Sequence, residues 1–348
     1  MSEEFRVEHV NLHRERNVME ISQFLERFNL RFDTDVAFTV AVRNQEGALV
    51  GTGSCQGEVL RNIAVDESIQ GAGLTSTILS TLMQEMARRG ILHYFIFTRP
   101  EKSFLFGNLG FSEIARAEPY AALLESGLGS VESYCAAIAK EAEHLPGKRA
   151  ALVINGNPFT NGHRALIEKT ASECPAVIVF VVSEDRSLFP FADRLRLIRE
   201  GVADLPNVVV VGGGKYIISA ATFPTYFTRE QDHVKAQTRL DVALFAQQIA
   251  PRLGITDRYI GEEPYCPVTA EYNAAMKELL PVAGVFVHVV PRFAVEGAAV
   301  SASTVRTMIR SGNMEGLEAL VPPVTLSYLR SAENKAILAA IRSSDSRH

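Results

Sequence analysis

Ala151-Leu-Val-Ile-Asn-Gly-Asn-Pro-Phe-Thr-Asn-Gly-His163-Arg-Ala-Leu-Ile167 reads as a strand, a turn and the start of a helix. An unbroken apolar run marks a strand buried on both faces, as in a parallel sheet. The Asn, Gly and Pro residues after it are turn formers. In such sheets ligands sit at the carboxyl ends of strands. A helix beginning near Gly162 aims its free N–H groups and the positive end of its dipole at that crevice. Gly162 lets a phosphate approach the backbone. Thr160 offers a hydroxyl donor, and His163 can donate to a phosphate oxygen as charge builds on it. Asn157, Pro158 and Phe159 form the turn that leads into this cradle. A plain polar turn with a surface histidine is the alternative; the place of the turn in the sheet favours function.

Downstream the same grammar repeats. Strands are expected at residues 176–182, 208–211, 258–260 and 285–289. Helices are expected at 162–172, 191–202, 272–280, 304–311 and 314–320. Buried strands alternating with helices imply an α/β, doubly wound parallel sheet of Rossmann-like type. Upstream the pattern differs. Residues 38–42 and 48–53 form a hairpin, 59–65 and 92–98 are strands, and 75–89 has helical spacing. A short helix is expected at 104–108 and another over 131–144. Leu145-Pro146-Gly147-Lys148 breaks the last of these. The reading is a mixed α+β domain over 1–146 and the doubly wound domain over 147–348.

With 348 residues, two domains of ordinary size are expected. The 47% hydrophobic and 22% charged residues suit a soluble globular chain. No apolar run is long enough to span a membrane, and the first residues lack the apolar core of a secretion signal. Cys55, Cys135, Cys174 and Cys266 are far apart, which suits a reducing cytoplasm rather than a zinc or disulfide framework. A net charge of −5 argues against a nucleic-acid partner. Residues 1–148 carry 14 Lys and Arg against 20 Asp and Glu, a balance of −6; the rest carries 21 against 20, or +1. The second half is the better host for an anion.

A second signal is Val300-Ser-Ala-Ser-Thr-Val-Arg306. Ser301 or Ser303 can cap the helix that follows. With Arg306 on its first turn, the hydroxyls, N–H groups and guanidinium make a second anion cradle. Two cradles at one crevice suit a triphosphate. Together the two stretches resemble the (H/T)xGH and ISxSxxR signatures of nucleotidylyltransferases, with Val300 in the Ile position. Gly156-Asn-Pro-Phe-Thr-Asn-Gly-His163, Phe191-Ala-Asp-Arg-Leu195, Tyr216-Ile-Ile-Ser-Ala-Ala-Thr-Phe-Pro-Thr-Tyr-Phe227 and Gly261-Glu-Glu-Pro-Tyr-Cys-Pro-Val268 narrow the resemblance to the citrate lyase ligases.

That resemblance implies an ATP-dependent enzyme, an AMP-forming acid–thiol ligase. Acetate would attack the α-phosphate of ATP, and a thiol on the prosthetic arm of the citrate lyase acyl carrier subunit would then take the acetyl group. Thr160 and His163 would hold the phosphates, with Ser301, Ser303 and Arg306 on the β- and γ-phosphates. Mg²⁺ is expected with ATP, although no carboxylate cluster marks a protein-built metal cage. Arg186 and Arg194 flank Phe189-Pro-Phe191 and are candidates for phosphate, or else surface ion pairs. Lys215 follows Gly212-Gly-Gly214 and is a candidate for acetate or phosphate, or else a solvated loop lysine. Glu262 could meet ribose hydroxyls, or else merely begin a turn.

In the first domain, Val65-Asp-Glu-Ser-Ile-Gln70-Gly71-Ala-Gly73-Leu-Thr75 resembles the pyrophosphate turn of N-acetyltransferases, with Thr75 where Gly or Ala is usual. Phe104-Leu-Phe-Gly-Asn-Leu-Gly-Phe111 resembles their late helix-and-turn block. A coenzyme A-shaped cleft there could hold the carrier's arm, remain as an inactive relic, or catalyse transfer itself. Three rival functions stay open: an adenylyltransferase acting on a nucleotide or pantetheine phosphate, an acetyl-coenzyme A-dependent acetyltransferase, and a non-catalytic assembly factor.

Overall fold

The computed structural model describes residues 5–343 except 70–72, 184–186, 218–222, 224–225, 228–231, 264–266, 296–297 and 332–333. Two compact units divide the chain: Met1–Ser133 with Thr222–Leu240, and Tyr134–Ala221 with Asp241–His348. The break at Ser133 precedes the expected cut after residue 146. Tyr134 Oη donates to the carbonyls of Gly212 and Gly213 (both 3.0 Å), and Arg149 Nη2 donates to Ala142 O (3.0 Å), so most of the intervening helix goes with the second unit.

The first unit contains β1 (Phe5–His9), α1 (Glu15–Glu26), β2 (Phe38–Asn44), β3 (Leu49–Gln56), β4 (Val59–Val65), α2 (Leu74–Arg88), β5 (His93–Thr98), α3 (Ser103–Gly107), β6 (Ser112–Ala117) and β7 (Ala121–Gly127). Its sheet runs β1-β2-β3-β4-β5-β7-β6. Helix α2 buries Leu74, Ile78, Leu79, Leu82 and Met86; of the expected face Leu79, Leu82, Met83 and Met86, Met83 is only half-buried. It sits directly on β3, because Gly53 has no side chain: a Cβ there would lie 2.4 Å from Ile78 Cγ2. All neighbouring strands are antiparallel except β4 and β5, which are parallel and pair only at Val59↔Phe95 and Leu60↔Ile96. Past that point Phe97 O is not used by β4. It accepts from Tyr226 Oη at 2.6 Å, and the Phe97 and Phe223 rings meet edge to face at 5.6 Å. Arg31 N donates to Tyr226 O (2.9 Å), so this late stretch of chain is built into the first unit.

Helix α4 (Val131–Glu141) leads to the second unit. Next come β8 (Arg149–Ile154), α5 (Asn161–Glu173), β9 (Val177–Val181), α6 (Phe191–Gly201), β10 (Val208–Gly212) and α7 (His233–Leu244), the last of which begins in the first unit. The chain continues with α8 (Ala250–Leu253), β11 (Ile255–Gly261), α9 (Pro267–Leu279), β12 (Phe286–Val290), the two-residue strands β13 (Ala294–Val295) and β14 (Ala298–Ala299), α10 (Ala302–Ser311), α11 (Leu317–Leu320), α12 (Pro323–Arg330) and α13 (Lys335–Ser343). The five-stranded sheet, β10-β9-β8-β11-β12, is parallel throughout, as expected. Every residue of β9 is buried, which is what its unbroken apolar run demands. Strand order reverses between β8 and β11. That switch point fixes the ligand crevice beyond the ends of these two strands.

Candidate active site

The carboxyl end of β8 leads through Asn155–Phe159 to Thr160, the N-cap of α5. The first turn of α5 closes on itself. Thr160 Oγ1 accepts from His163 N (3.4 Å), and Thr160 N donates to His163 Nδ1 (3.1 Å). This is a capping box in which histidine takes the place usually held by Glu or Gln. It also decides the tautomer. With Nδ1 accepting from a backbone N–H, the ring proton belongs on Nε2, which becomes a hydrogen-bond donor. Burial and the nearby Arg292 guanidinium hold the imidazole pKa down at about 4, so the ring is neutral near pH 7. Phe159, fully buried, stacks near it with ring centres 6.1 Å apart.

The second cradle starts at Ser301, the N-cap of α10. Its hydroxyl accepts from Thr304 N (3.1 Å) and lies 2.8 Å from Ser303 Oγ and 2.9 Å from Thr304 Oγ1. The fold joins this cradle to the first by two contacts. Arg306 Nη1 donates to Asn157 O at 2.5 Å, and a Cβ on Gly162 would lie only 2.8 Å from Val300 O. Gly162 is therefore required for packing between the two motifs. The sequence suggested only room for a phosphate. Arg306 is buried, which lowers its pKa, with Arg310 adding repulsion.

Arg194 takes neither role expected of it. It is fully buried, and its guanidinium donates to the carbonyls of Phe189 (2.9 Å), Asn155 (2.9 Å) and Val182 (2.7 Å) and to Asn155 Oδ1 (2.8 Å). It ties the end of β8 to the end of β9. Asn157 Oδ1 accepts from Phe189 N (3.2 Å), which fixes the same crest. Lys215 is exposed in the turn after β10. Glu262 follows β11 with an exposed side chain; its N–H donates to Val290 O (3.0 Å) and its carbonyl accepts from Arg292 Nε (2.9 Å). Arg292 also pairs with Glu263. Neither Arg292 nor Asn155 was singled out in the sequence. The available signal was position, since each follows the end of a parallel strand. Arg186 lies outside the described residues. Among the described residues, no group of three or more His, Cys, Asp and Glu is placed to hold a metal ion.

In the first unit, Val65 ends β4 and Gly73, at φ +74°, is the N-cap of α2. Among the described residues no side chain caps that helix, and Thr75 lies in its first turn, partly buried. Gln70 and Gly71 lie outside the described residues. No described helix is long and apolar enough to cross a membrane.

A family model for the citrate lyase ligase C-terminal domain matches residues 149–329. The citrate (pro-3S)-lyase ligase of Klebsiella pneumoniae is 40% identical over 315 residues, covering 89% of this chain and 91% of that protein. A phosphopantetheine adenylyltransferase of Pasteurella multocida is 47% identical over 58 residues, 16% of this chain and 37% of that protein. Among solved structures, a GNAT-family acetyltransferase from Staphylococcus aureus Mu50 aligns with 36% of this chain and 99% of its own, at 14% identity and a TM-score of 0.31.

Proposed function

This chain belongs to the citrate lyase ligase family and is an enzyme of that type, and from that premise we propose that it joins acetate to a carrier thiol through acetyl-adenylate. An acetate oxygen attacks the α-phosphorus of ATP; the new C–O–P bond forms as the bond to the β-phosphate bridge breaks, and pyrophosphate leaves. A thiolate on the prosthetic arm of the citrate lyase acyl carrier subunit then attacks the acetyl carbon. A thioester forms and AMP leaves.

The observation that carries this reading is the joining of the two cradles through Arg306 and Asn157 O, with Gly162 against Val300 O. It brings the N-termini of α5 and α10 to one crevice. The neutral imidazole of His163 donates from Nε2 to a phosphate oxygen beside Thr160. Ser301, Ser303 and Arg306 take the β- and γ-phosphates. A neutral donor suits this task because it need not lose a proton or hold a buried charge before ATP arrives. Lys215, and Arg186, are placed in sequence to meet acetate or phosphate, and Glu262 to meet ribose hydroxyls. Mg²⁺ would arrive with the triphosphate and neutralise its charge. The turn from Val65 through Gln70 and Gly71 to Gly73 and Thr75 would hold the arm, with the first N–H groups of α2 on its phosphate.

Isotope exchange between pyrophosphate and ATP tests the first step. Exchange is expected only when acetate is present. Equal pyrophosphate release with and without acetate would rule out acetyl-adenylate. The 58-residue likeness to an adenylyltransferase favours a second reading, in which AMP passes to a phosphate acceptor. In that case exchange would follow addition of 4′-phosphopantetheine and ignore acetate.

A further inference from the structure

The first unit contains a cavity of about 600 Å³ that the adenylation chemistry does not use. That volume lies within the roughly 300–1,000 Å³ common for small-molecule sites. Arg99, just beyond β5, lines it together with Tyr120, Asn29, Phe227 and Asp232. Asn29, at φ 54°, turns its carbonyl to accept from Arg99 Nη2 (3.2 Å). From α7, Lys235 Nζ stands 5.7 Å and the Arg239 guanidinium carbon 6.0 Å from the centre of the Tyr120 ring. Among the described residues, Arg99 and Lys235 have no carboxylate partner within ion-pair distance.

This concentration of positive charge runs against its surroundings, because the two stretches of the first unit, 1–133 and 222–240, together carry 15 Lys and Arg against 20 Asp and Glu. Arg99 in the wall of a ligand-sized cavity, with Lys235 and Arg239 standing over the Tyr120 ring of the same wall, asks for an anion. The remaining lining says what the anion is attached to. Asp232 and the Asn29 amide offer acceptors for hydroxyl groups, while Tyr120 and Phe227 offer flat apolar faces. A bare inorganic anion would leave these groups unused, and an apolar acid would bury Asp232 without a donor.

We propose that this cavity binds an organic phosphate of the sugar-phosphate type, with Arg99 and Lys235 on the phosphate and Asp232 on the sugar hydroxyls. A free nucleotide offers that chemistry, and so does a nucleotide-derived arm carried on a protein. The second source rests on the function proposed above; the site itself does not.

Calorimetric titration of the full chain with ribose 5-phosphate tests the proposal. The wild type is expected to bind one equivalent. Arg99→Gln and Lys235→Gln are each expected to weaken binding about ten-fold, the loss of one charge-assisted hydrogen bond. Neither change orphans a described carboxylate, so both variants should keep the wild-type Tm, and Lys235→Gln stands as the readout if Arg99→Gln does not fold. His163→Ala should bind ribose 5-phosphate as the wild type does. No binding by the wild type overturns the proposal, as do unchanged affinities in both variants. Loss of binding in His163→Ala would also overturn it, since the ligand would then lie in the second unit. Displacement by carrier protein bearing its arm would identify the arm as the source; displacement by AMP alone, in the His163→Ala background, would identify a free nucleotide. Either result upholds the site.

Discussion

At α5 the helix start is closed by its own side chains, Thr160 and His163, and braced from below by Arg194. At α2 the helix starts from Gly73, and no described side chain takes up its first N–H groups. Both ends carry the positive pole of a helix dipole. The first has spent its freedom before any ligand arrives: the tautomer, the ring orientation and the distance to α10 are already set. The second leaves its backbone donors to water or to a ligand. A site that must stabilise charge during a reaction gains from the first design. A site that only holds an arm needs no more than the second. Changes at α5 and its supports should therefore cost much, and changes at α2 little.

Support should show the largest effect. Arg194→Met removes a buried cation from three main-chain carbonyls and leaves them without donors. We expect a loss of about 3–5 kcal/mol in unfolding free energy by urea denaturation. If stability were unchanged, the crest of β8 and β9 would not depend on this side chain. Next comes the chemistry. His163→Ala should lower acetate-dependent exchange about 10²–10³-fold, while the lost cap costs only about 1 kcal/mol of stability. A comparable loss of both would make His163 a structural residue.

Much of this second unit was legible in the sequence, for a physical reason. β8 and β9 are buried on both faces, so their apolar runs are unbroken, and the turn between β8 and α5 carries its own chemistry in Thr160, Gly162 and His163. The roles of Arg194 and Arg292 were not legible. Arg194 acts on main-chain carbonyls of three separate segments, and carbonyls leave no trace in a residue pattern. β7 was missed because Ala121-Ala122-Leu123-Leu124-Glu125 has weak strand propensity and is held in place by β5 and β6. Tyr226 looked like part of the ligase block, yet its partner Phe97 is 129 positions away in the other half of the chain. The cavity beside Tyr120 was hidden for the same reason, since its walls come from four distant stretches.

The depressed pKa of His163 gives a test by acid. The folded state holds the neutral ring, with pKa about 4 against the ordinary 6.5. The unfolded chain therefore binds the proton more readily. The stability this contributes is complete above about pH 6.5 and is lost as pH falls towards 4, by roughly 1–3 kcal/mol. His163→Gln should flatten that part of the stability profile. A slope that is unchanged in the variant would mean the ring is not held neutral by the fold.

Two glycines give the smaller and finer tests. Gly162 and Gly73 both stand at helix starts, but for different reasons. At Gly162 an added Cβ would lie 2.8 Å from Val300 O, a backbone atom that cannot step aside. Gly162→Ala should push the two cradles apart, cost about 1–3 kcal/mol and raise KM for ATP. At Gly73 an added Cβ would meet nothing within 4 Å, and the constraint is φ +74° alone. Gly73→Ala should cost about 1 kcal/mol by strain and leave exchange unchanged. Asn tolerates this left-handed conformation better than Ala, so Gly73→Asn should recover part of that loss. At Gly162 the larger Asn side chain should do worse than Ala, because space is what is short there. Opposite orders of Ala and Asn at the two positions, read by thermal denaturation, are the expected result. The same order at both would mean that the closed start of α5 and the open start of α2 obey one constraint, and the contrast between them would fail.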